Sequence, residues 1–250
     1  MNDRTSSRRV AIVTGGARGI GAAITTSLSR SGVHVAAGYS RSGTTAEELA
    51  AKLTSEGASV SVHQGNVGNP EDCNRVVDEV LDAYGRVDIL VNNAGITVDK
   101  TVRKMTVDDW HAVLRINLSG AFYMTKAVLE NMIANGFGRI VNISSVIGQT
   151  GSVGQANYAA SKAGLFGMSQ SLAREVARKG ITVNCVAPGY IETEMVAMVP
   201  EQVLEKLLAG VPVGRLGQAS EIARAVQFLV DDDAGYITGS VLAVNGGLDM

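Results

Sequence analysis

"RRVAIVTGGARGIGAAITTSLSRSG", residues 8–32, decides the fold. It starts as a short apolar run rich in β-branched residues, Val10 to Val13. It then passes through a cluster of glycines into a stretch where Ile20, Ala23, Ile24 and Leu28 fall near helical spacing. A strand that enters a helix through glycines reads as the opening of a βαβ unit. Gly15, Gly19 and Gly21 stand in a G-x-x-x-G-x-G pattern. Glycine lets the chain turn tightly and lets the backbone approach a pyrophosphate. The helix N-terminus adds unpaired N–H groups and a positive dipole end. The same turn can join a strand to a helix with no ligand, so the pattern alone is only moderately specific.

Working outward, the alternation continues. "VHVAAGY" (33–39) and "SVSVHQ" (59–64) read as strands, with "TAEELAAKLTSEG" (45–57) as the helix between them. "PEDCNRVVDEVLDAYG" (70–85) reads as a helix with Pro70 and Glu71 at its start and Gly85 at its stop. "VDILVNNAG" is a fourth strand, residues 106–136 one long helix, "GRIVNISS" a fifth strand and residues 158–180 another long helix. "ITVNCVAPG" and "GSVLAVNGG" read as the last two strands, with a helix from about Ala219 before the second. Strands separated by crossover helices pair in parallel, with helices on both faces. The expected fold class is α/β: one Rossmann-like, doubly wound parallel sheet of about seven strands. Residues 9–250 form a single domain behind a frayed arm, residues 1–8. Residues 191–218, with a helical piece around "PEQVLEKLLAG", form a flap over the sheet's carboxyl edge, where open α/β sheets bind ligands.

Composition excludes several classes. A net charge of −2 in 250 residues gives no positive excess to meet nucleic acid or an anionic membrane. No apolar run reaches the ~18 residues of a membrane span. The polar "MNDRTSSRRV" has no apolar segment behind it and does not read as a signal peptide. Cys73 and Cys185 form no C-x-x-C pair, which fits a reducing cytoplasm. His34, His63 and His111 are scattered and read as structural, and no metal site is expected.

Dinucleotide folds of the NAD type carry an acidic residue about 20 positions past the glycines, for the ribose 2′-hydroxyl. Here the second strand ends in Tyr39, Ser40 and Arg41, with no carboxylate. Arg41 follows that strand and Arg18 sits inside the glycine turn. Guanidinium groups would pair a 2′-phosphate that a carboxylate would repel, so NADPH is favoured over NADH. Further polar groups fall at strand ends. Asn92, Asn93, Ala94 and Gly95 close the fourth strand, and Ser144 and Ser145 the fifth. Tyr158 and Lys162 lie at i and i+4 on the following helix, on one face. Asn117 sits in mid-helix, an unfavourable place unless its polar groups find partners. Each of these has a bland reading as a turn former, cap or solvated position. Their joint placement on one sheet edge shifts the balance.

TGGARGIG, NNAG, the spacing Ser145–x12–Tyr158–x3–Lys162, mid-helix Asn117 and "PGYIETEM" (188–195) together resemble the short-chain dehydrogenase/reductase family, from about residue 8 to the end of the chain. The resemblance is closest to the 3-oxoacyl-thioester reductases. These include the acyl-carrier-protein reductase of fatty acid synthesis and the acetoacetyl-CoA reductase of polyhydroxyalkanoate synthesis. It implies Tyr158 as general acid. An unperturbed phenol titrates near 10, and the ammonium of Lys162 is expected to lower that value. Ser145 would bond the substrate carbonyl and the alkoxide it becomes. Lys162 would also hold the nicotinamide ribose, and Asn117 a water linking Lys162 to solvent. The cofactor contacts implied are the glycine turn with Arg18 and Ile20, residues 39–41, Asn66 and Val67, Asn93 to Gly95, Tyr158 and Lys162, then Pro188, Gly189, Ile191 and Thr193. Many relatives have Asp where this chain has Asn66. Its amide oxygen can still accept a bond from the adenine amino group.

The choice of thioester rests on local detail. "RKMTVDDW", "SSVIGQTGSVGQANY", "PGY" and the ending "VNGGLDM" look like the acetoacetyl-CoA reductases. Small residues before Tyr158 suit a short acyl group, with Val153, Gln155 and Tyr190 as substrate contacts beside Ser145 and Tyr158. Carrier-protein reductases usually present basic residues to an acidic partner, whereas "ANGFG" (134–138) carries no charge. CoA is therefore placed ahead of the carrier protein. Relatives are commonly homotetramers, pairing through the two long helices and the last strand. A non-catalytic NADP sensor on the same fold would predict a broken Ser–Tyr–Lys set, and the set is intact. The sequence leaves a sugar, steroid or alcohol substrate open.

Overall fold

The computed structural model describes residues 8–193 and 207–250. Seven strands form one sheet: β1 (Val10–Val13), β2 (His34–Tyr39), β3 (Val60–Gln64), β4 (Ile89–Asn92), β5 (Gly138–Ile143), β6 (Ile181–Pro188) and β9 (Val241–Val244). Their order is β3-β2-β1-β4-β5-β6-β9, and every neighbouring pair is parallel. The order reverses between β1 and β4, which makes that junction the switch point of a doubly wound sheet. The α/β reading holds.

The strands read as unbroken apolar runs because both faces are covered. On β1, Val10 and Ile12 face one cluster, with Val77 and Val80 of α3 (Pro70–Tyr84) and Met124, Val128 and Met132 of α5 (Gly120–Asn135). Ala11 and Val13 face the other, with Ile24 and Leu28 of α1 (Gly19–Arg30) and Ile222, Val226 and Leu229 of α8 (Ala219–Val230). The remaining helices are α2 (Gly43–Ser55), α4 (Val107–Leu114), the short α6 (Ile147–Thr150) and α7 (Ala156–Val176). Local chemistry sets the boundaries as read. Asn69 caps α3 by accepting from the N–H groups of Glu71 and Asp72, Pro70 opens it, and Gly85 ends it in the left-handed conformation.

Two details differ from the expectation. The helix expected to run unbroken over 107–135 is α4 and α5 joined by a π-turn, Arg115–Ser119, with Asn117 buried inside it. Such turns concentrate at functional sites. The two ends of the segment expected to form a flap pair with each other, which the sequence did not reveal. β7 (Ile191–Glu192) pairs in parallel with β8 (Gly217–Gln218), so residues at the two ends of the segment are tied together. Most of the expected helical piece at 200–210, like residues 1–7, lies outside the described residues.

The sheet's amino edge has its own anchor. Arg139, at 4% exposure, lies over the Phe137 ring and donates to the carbonyls of Gly138, Gly180, Asp231 and Asp232. Gly180 follows α7 and Asp231–Asp232 follow α8, so one guanidinium closes the negative ends of two helices. His34 and His63 share Ser61 as a partner, and His63 also pairs with Glu79. Among the described residues, no helix is long and apolar enough to cross a membrane.

Candidate active site

The glycine turn lies where β1 meets β4. Gly15 and Gly19 have φ of +61° and +52°, which a side chain would strain. A Cβ on Gly21 would overlap the Gly15 carbonyl oxygen, so the third glycine is a packing requirement. α1 begins with no side-chain cap and no acidic residue in its first turn. Its first N–H groups and positive dipole end therefore face no competing oxygen from a capping side chain. Thr193 comes within 3.8 Å of where a Gly19 Cβ would stand, which sets the 188–193 segment opposite the turn. An uncapped helix end behind a backbone that admits no side chains fits a pyrophosphate. Arg18 and Arg41 are exposed and form no ion pair among the described residues.

Several expected contacts brace this cradle. Asn93 donates its amide to the carbonyls of Thr14 and Gly15. The Thr14 hydroxyl accepts from the N–H groups of both Asn93 and Ala94, each at 3.0 Å. Thr14 was missed in the sequence, because nothing near it shows that its partners arrive from β4. Asn66 accepts from the Gly68 N–H at 3.0 Å, and Val67 packs under the α5 start at Gly120. The Pro188 carbonyl accepts from Val146, and Gly189 lies so close to Asn245 that a Cβ would stand 2.8 Å from its backbone. Ile191 is buried with the α1–α8 cluster, which Ile20 packs against.

The strand ends and α7 bring Ser145, Tyr158 and Lys162 together. Ser145 follows β5, and its Oγ accepts from the Ile147 N–H at 3.1 Å. Lys162, at 4% exposure, donates to the Ile143 carbonyl at 2.7 Å. Its Nζ stands 5.7 Å from the centre of the Tyr158 ring. Ser144 donates to the Lys162 carbonyl at 2.8 Å. Asn157, also missed, is fully buried. It accepts from the Tyr158 N–H and donates to the carbonyls of Val98 and Asp109, fixing where α7 begins.

The Asn117 amide is paired on both sides with Ile96: its oxygen accepts from the N–H at 2.8 Å and its nitrogen donates to the carbonyl at 3.0 Å. The same nitrogen donates to Ser161, whose hydroxyl donates to the Tyr158 carbonyl. Asn117 thus holds the loop after β4 against the Tyr158 turn of α7. A Cβ on Gly95 would stand 3.4 Å from the Asn117 oxygen and 3.6 Å from the Lys162 ammonium, so these two groups are neighbours.

The electrostatics correct one expectation. The Tyr158 phenol is raised above its usual value, not lowered. Burial is the largest cause, the hydrogen bond from Ser145 opposes it, and the Asp99 carboxylate adds to the rise. Burial also brings Lys162 down, to about 8. The partly buried phenol makes its phenolate costly, and that cost exceeds what the Ser145 hydroxyl gives back.

The residues expected to meet the substrate are less concentrated. Gln155 donates to Asp99 at 3.1 Å, and Gly154 accepts from the Lys100 N–H, so the segment before Tyr158 is tied to the 98–100 loop. Val153 is 92% exposed on that turn. Tyr190 lines a cavity of about 230 Å³ with Val211, Val213 and Gly246, whose walls do not include Ser145 or Tyr158. The structure therefore brings Tyr158 and Lys162 together, ties Gln155 to Asp99 and sets Tyr190 beside the β7–β8 pair, where its carbonyl accepts from the Gly217 N–H.

A family model described as enoyl-(acyl carrier protein) reductase matches residues 15–249. Acetoacetyl-CoA reductase of Shinella zoogloeoides is 51% identical over 96% of this chain and 98% of its own. Acetoacetyl-CoA reductase of Rhizobium meliloti is 50% identical over the same shares. The 3-oxoacyl-(acyl-carrier-protein) reductase of Haemophilus influenzae is 46% identical, again over 96% and 98%. With the glycine cradle at the switch point and the Ser–Tyr–Lys set beside it, these near-full-length matches give the conclusion: the chain belongs to the short-chain dehydrogenase/reductase family of oxidoreductases.

Proposed function

We propose that the protein reduces a 3-oxoacyl thioester, acetoacetyl-CoA above others, to the (3R)-3-hydroxyacyl thioester with NADPH. The observation that carries the reading is the buried Lys162 ammonium, 5.7 Å from the centre of the Tyr158 ring at the carboxyl edge of the sheet, with the Ser145 hydroxyl acting on the same phenol. Relatives named acetoacetyl-CoA reductase, at 51% and 50% identity, support the substrate.

The cofactor, when bound, supplies the hydride. Gly15, Gly19 and Gly21 with the α1 N-terminus would hold its pyrophosphate, and Arg18, Ser40 and Arg41 its 2′-phosphate. Asn66 and Val67 would meet the adenine, and Asn93 to Gly95, Pro188 to Ile191 and Thr193 the nicotinamide half. The Ser145 hydroxyl donates to the substrate's 3-oxo oxygen and meets the negative charge that grows there. The raised phenol keeps its proton near neutrality, so Tyr158 is loaded as the acid and gives that proton to the same oxygen. The Lys162 ammonium then faces the phenolate left behind. Its neighbour Asn117 would share a water with it for reprotonation.

A second reading, reduction of the thioester on acyl carrier protein, is favoured by Arg174, Arg178 and Lys179. All three are exposed together at the end of α7 and suit an acidic partner. Assembly as a homotetramer through α5 and α7 belongs to the same proposal. Phe122 on α5 is 50% exposed and gains cover in such a contact.

NADPH oxidation is to be followed with acetoacetyl-CoA, acetoacetyl carrier protein and a panel of sugars. Turnover of acetoacetyl-CoA is expected to lead. No turnover of either thioester sinks the proposal, and equal efficiency with NADH removes its cofactor preference.

A further inference from the structure

We infer that Asp72 and Arg75, on the first turns of α3, are positioning residues for the adenosine end of the dinucleotide site. Neither side chain belongs to the glycine turn, to the Ser–Tyr–Lys set or to any side-chain contact described above. Asp72 Oδ2 accepts from the Asn66 N–H at 2.9 Å, and Oδ1 accepts from Arg75 at 3.1 Å. The same Arg75 nitrogen donates to the Gln64 carbonyl at 2.8 Å. Two charged side chains therefore hold the backbone on both sides of Gly65, where β3 ends. Gly65 is backed by Val76 of α3, with 2.8 Å between where a Cβ would stand and the valine methyl.

The bracing continues into β2. The Gly65 N–H donates to the Tyr39 carbonyl at 2.8 Å, and the Gln64 side chain reaches the Ser40 carbonyl at 3.4 Å. Tyr39 and Ser40 lead directly into Arg41. One side-chain pair on α3 thus sets both the loop carrying Asn66 and Val67 and, through Gln64 and Gly65, the turn carrying Ser40 and Arg41. The far end of the pair is held as well. Arg75 donates to Glu79 at 2.7 Å, and Glu79 also bonds His63 on β3.

Energetics argue for positioning over stability. The Asp72 and Arg75 side chains are 34% and 48% exposed, and ion pairs that open to water contribute little to folding. What the pair does contribute is direction. Asp72 accepts a backbone N–H that would otherwise turn to water, and the Asn66 N–H and Arg75 hold its carboxyl below the ordinary range. The inference rests on reading the β2 and β3 exits as the adenosine site, so its test uses a ligand that lacks the reacting half.

Binding of adenosine 2′,5′-bisphosphate is measured by calorimetry on the full-length protein, with NADPH KM, kcat and Tm alongside. Asp72→Ala is expected to weaken that binding and raise the NADPH KM together, by about fivefold to tenfold, with kcat within about twofold. Asp72→Asn keeps an oxygen for the Asn66 N–H and is expected to recover most of the loss. Arg75→Met is expected to follow Asp72→Ala and stands in for it if that variant does not fold. Binding by both within about twofold of wild type overturns the inference, as does a Tm loss with no change in KM. Wild-type protein that binds 5′-AMP but not the bisphosphate refutes only the 2′-phosphate reading, and the variants are then compared with 5′-AMP. Wild-type protein that binds neither refutes the adenosine site and the inference with it.

Discussion

The ammonium of Lys162 donates to the Ile143 carbonyl at 2.7 Å, one residue before Ser144 returns a bond to the carbonyl of Lys162 itself. The lysine is thereby cross-tied to the end of β5, and it sits in a buried place. Burial takes its pKa from 10.5 to about 8. Between those values the unfolded chain holds a proton that the folded chain has lost, so this group's contribution to stability rises with pH through that window. Below about pH 8 the folded state bears the full cost of the buried ammonium. Lys162→Met removes the titration. The stability of wild type relative to Lys162→Met is expected to improve by roughly 2–3 kcal/mol from pH 7 to pH 10, read from denaturant midpoints. A difference flat across that range contradicts a lowered lysine.

Tyr158 gives a second prediction. Its raised phenol is protonated at neutral pH and ready to act as an acid. Tyr158→Phe keeps the ring and removes the proton. Its kcat for thioester reduction is expected to fall by about 10²- to 10⁴-fold while NADPH binding changes by less than about twofold. Ser145→Ala leaves the acid in place and is expected to cost less. A Tyr158→Phe variant within about threefold of wild type shows that the proton comes from elsewhere.

The glycine turn separates space from strain. At Gly21 a Cβ would overlap the Gly15 carbonyl, while at Gly19 it would meet, among the described residues, only Thr193 at 3.8 Å. Gly19→Ala therefore carries mainly the penalty of positive φ, about 1–2 kcal/mol. Gly21→Ala must push the turn open. Gly19→Ala is expected to fold with weakened NADPH binding, and Gly21→Ala to lose binding altogether. Titration of both by cofactor fluorescence checks the order, and equal losses would mean that contact with Gly15 does not shape the cradle.

Residues whose partners are near in sequence, or whose pattern is long, were legible. β1 reads as one apolar run because both its faces are covered, and α3 carries its own start at Asn69–Pro70 and its own stop at Gly85. The Ser145, Tyr158 and Lys162 spacing survives folding because strand end and helix face fix it. The π-turn at Asn117 was not legible, since the backbone that pairs the amide belongs to Ile96, 21 residues away. Thr14 shows the same limit, its partners lying 79 and 80 residues on. β7 and β8 are two residues each, too short for any periodicity. The direction of the Tyr158 shift depends on how deeply the phenol is covered, which spacing along a helix does not encode.

Arg139 offers the opposite test, a residue that should matter for folding and not for chemistry. It lies on the sheet's amino edge, away from the catalytic edge. It has no ion-pair partner among the described residues, and its guanidinium is bound by four backbone carbonyls. A methionine fills similar volume and takes the guanidinium donors away from all four carbonyls, of which Gly180 and Asp231 each keep one backbone N–H, from Gly138 and Ala234. Arg139→Met is expected to lose about 2–4 kcal/mol of stability. Lysine keeps a charge but cannot reach four acceptors with one planar fork, so Arg139→Lys should recover only part. Because no catalytic or cofactor contact passes through it, kcat/KM per folded molecule should stay within about twofold. Denaturant unfolding and activity measured on one sample decide the matter. A large kcat/KM loss at unchanged stability would mean that the amino edge reports to the active site, and the separation of the two sheet edges would fail.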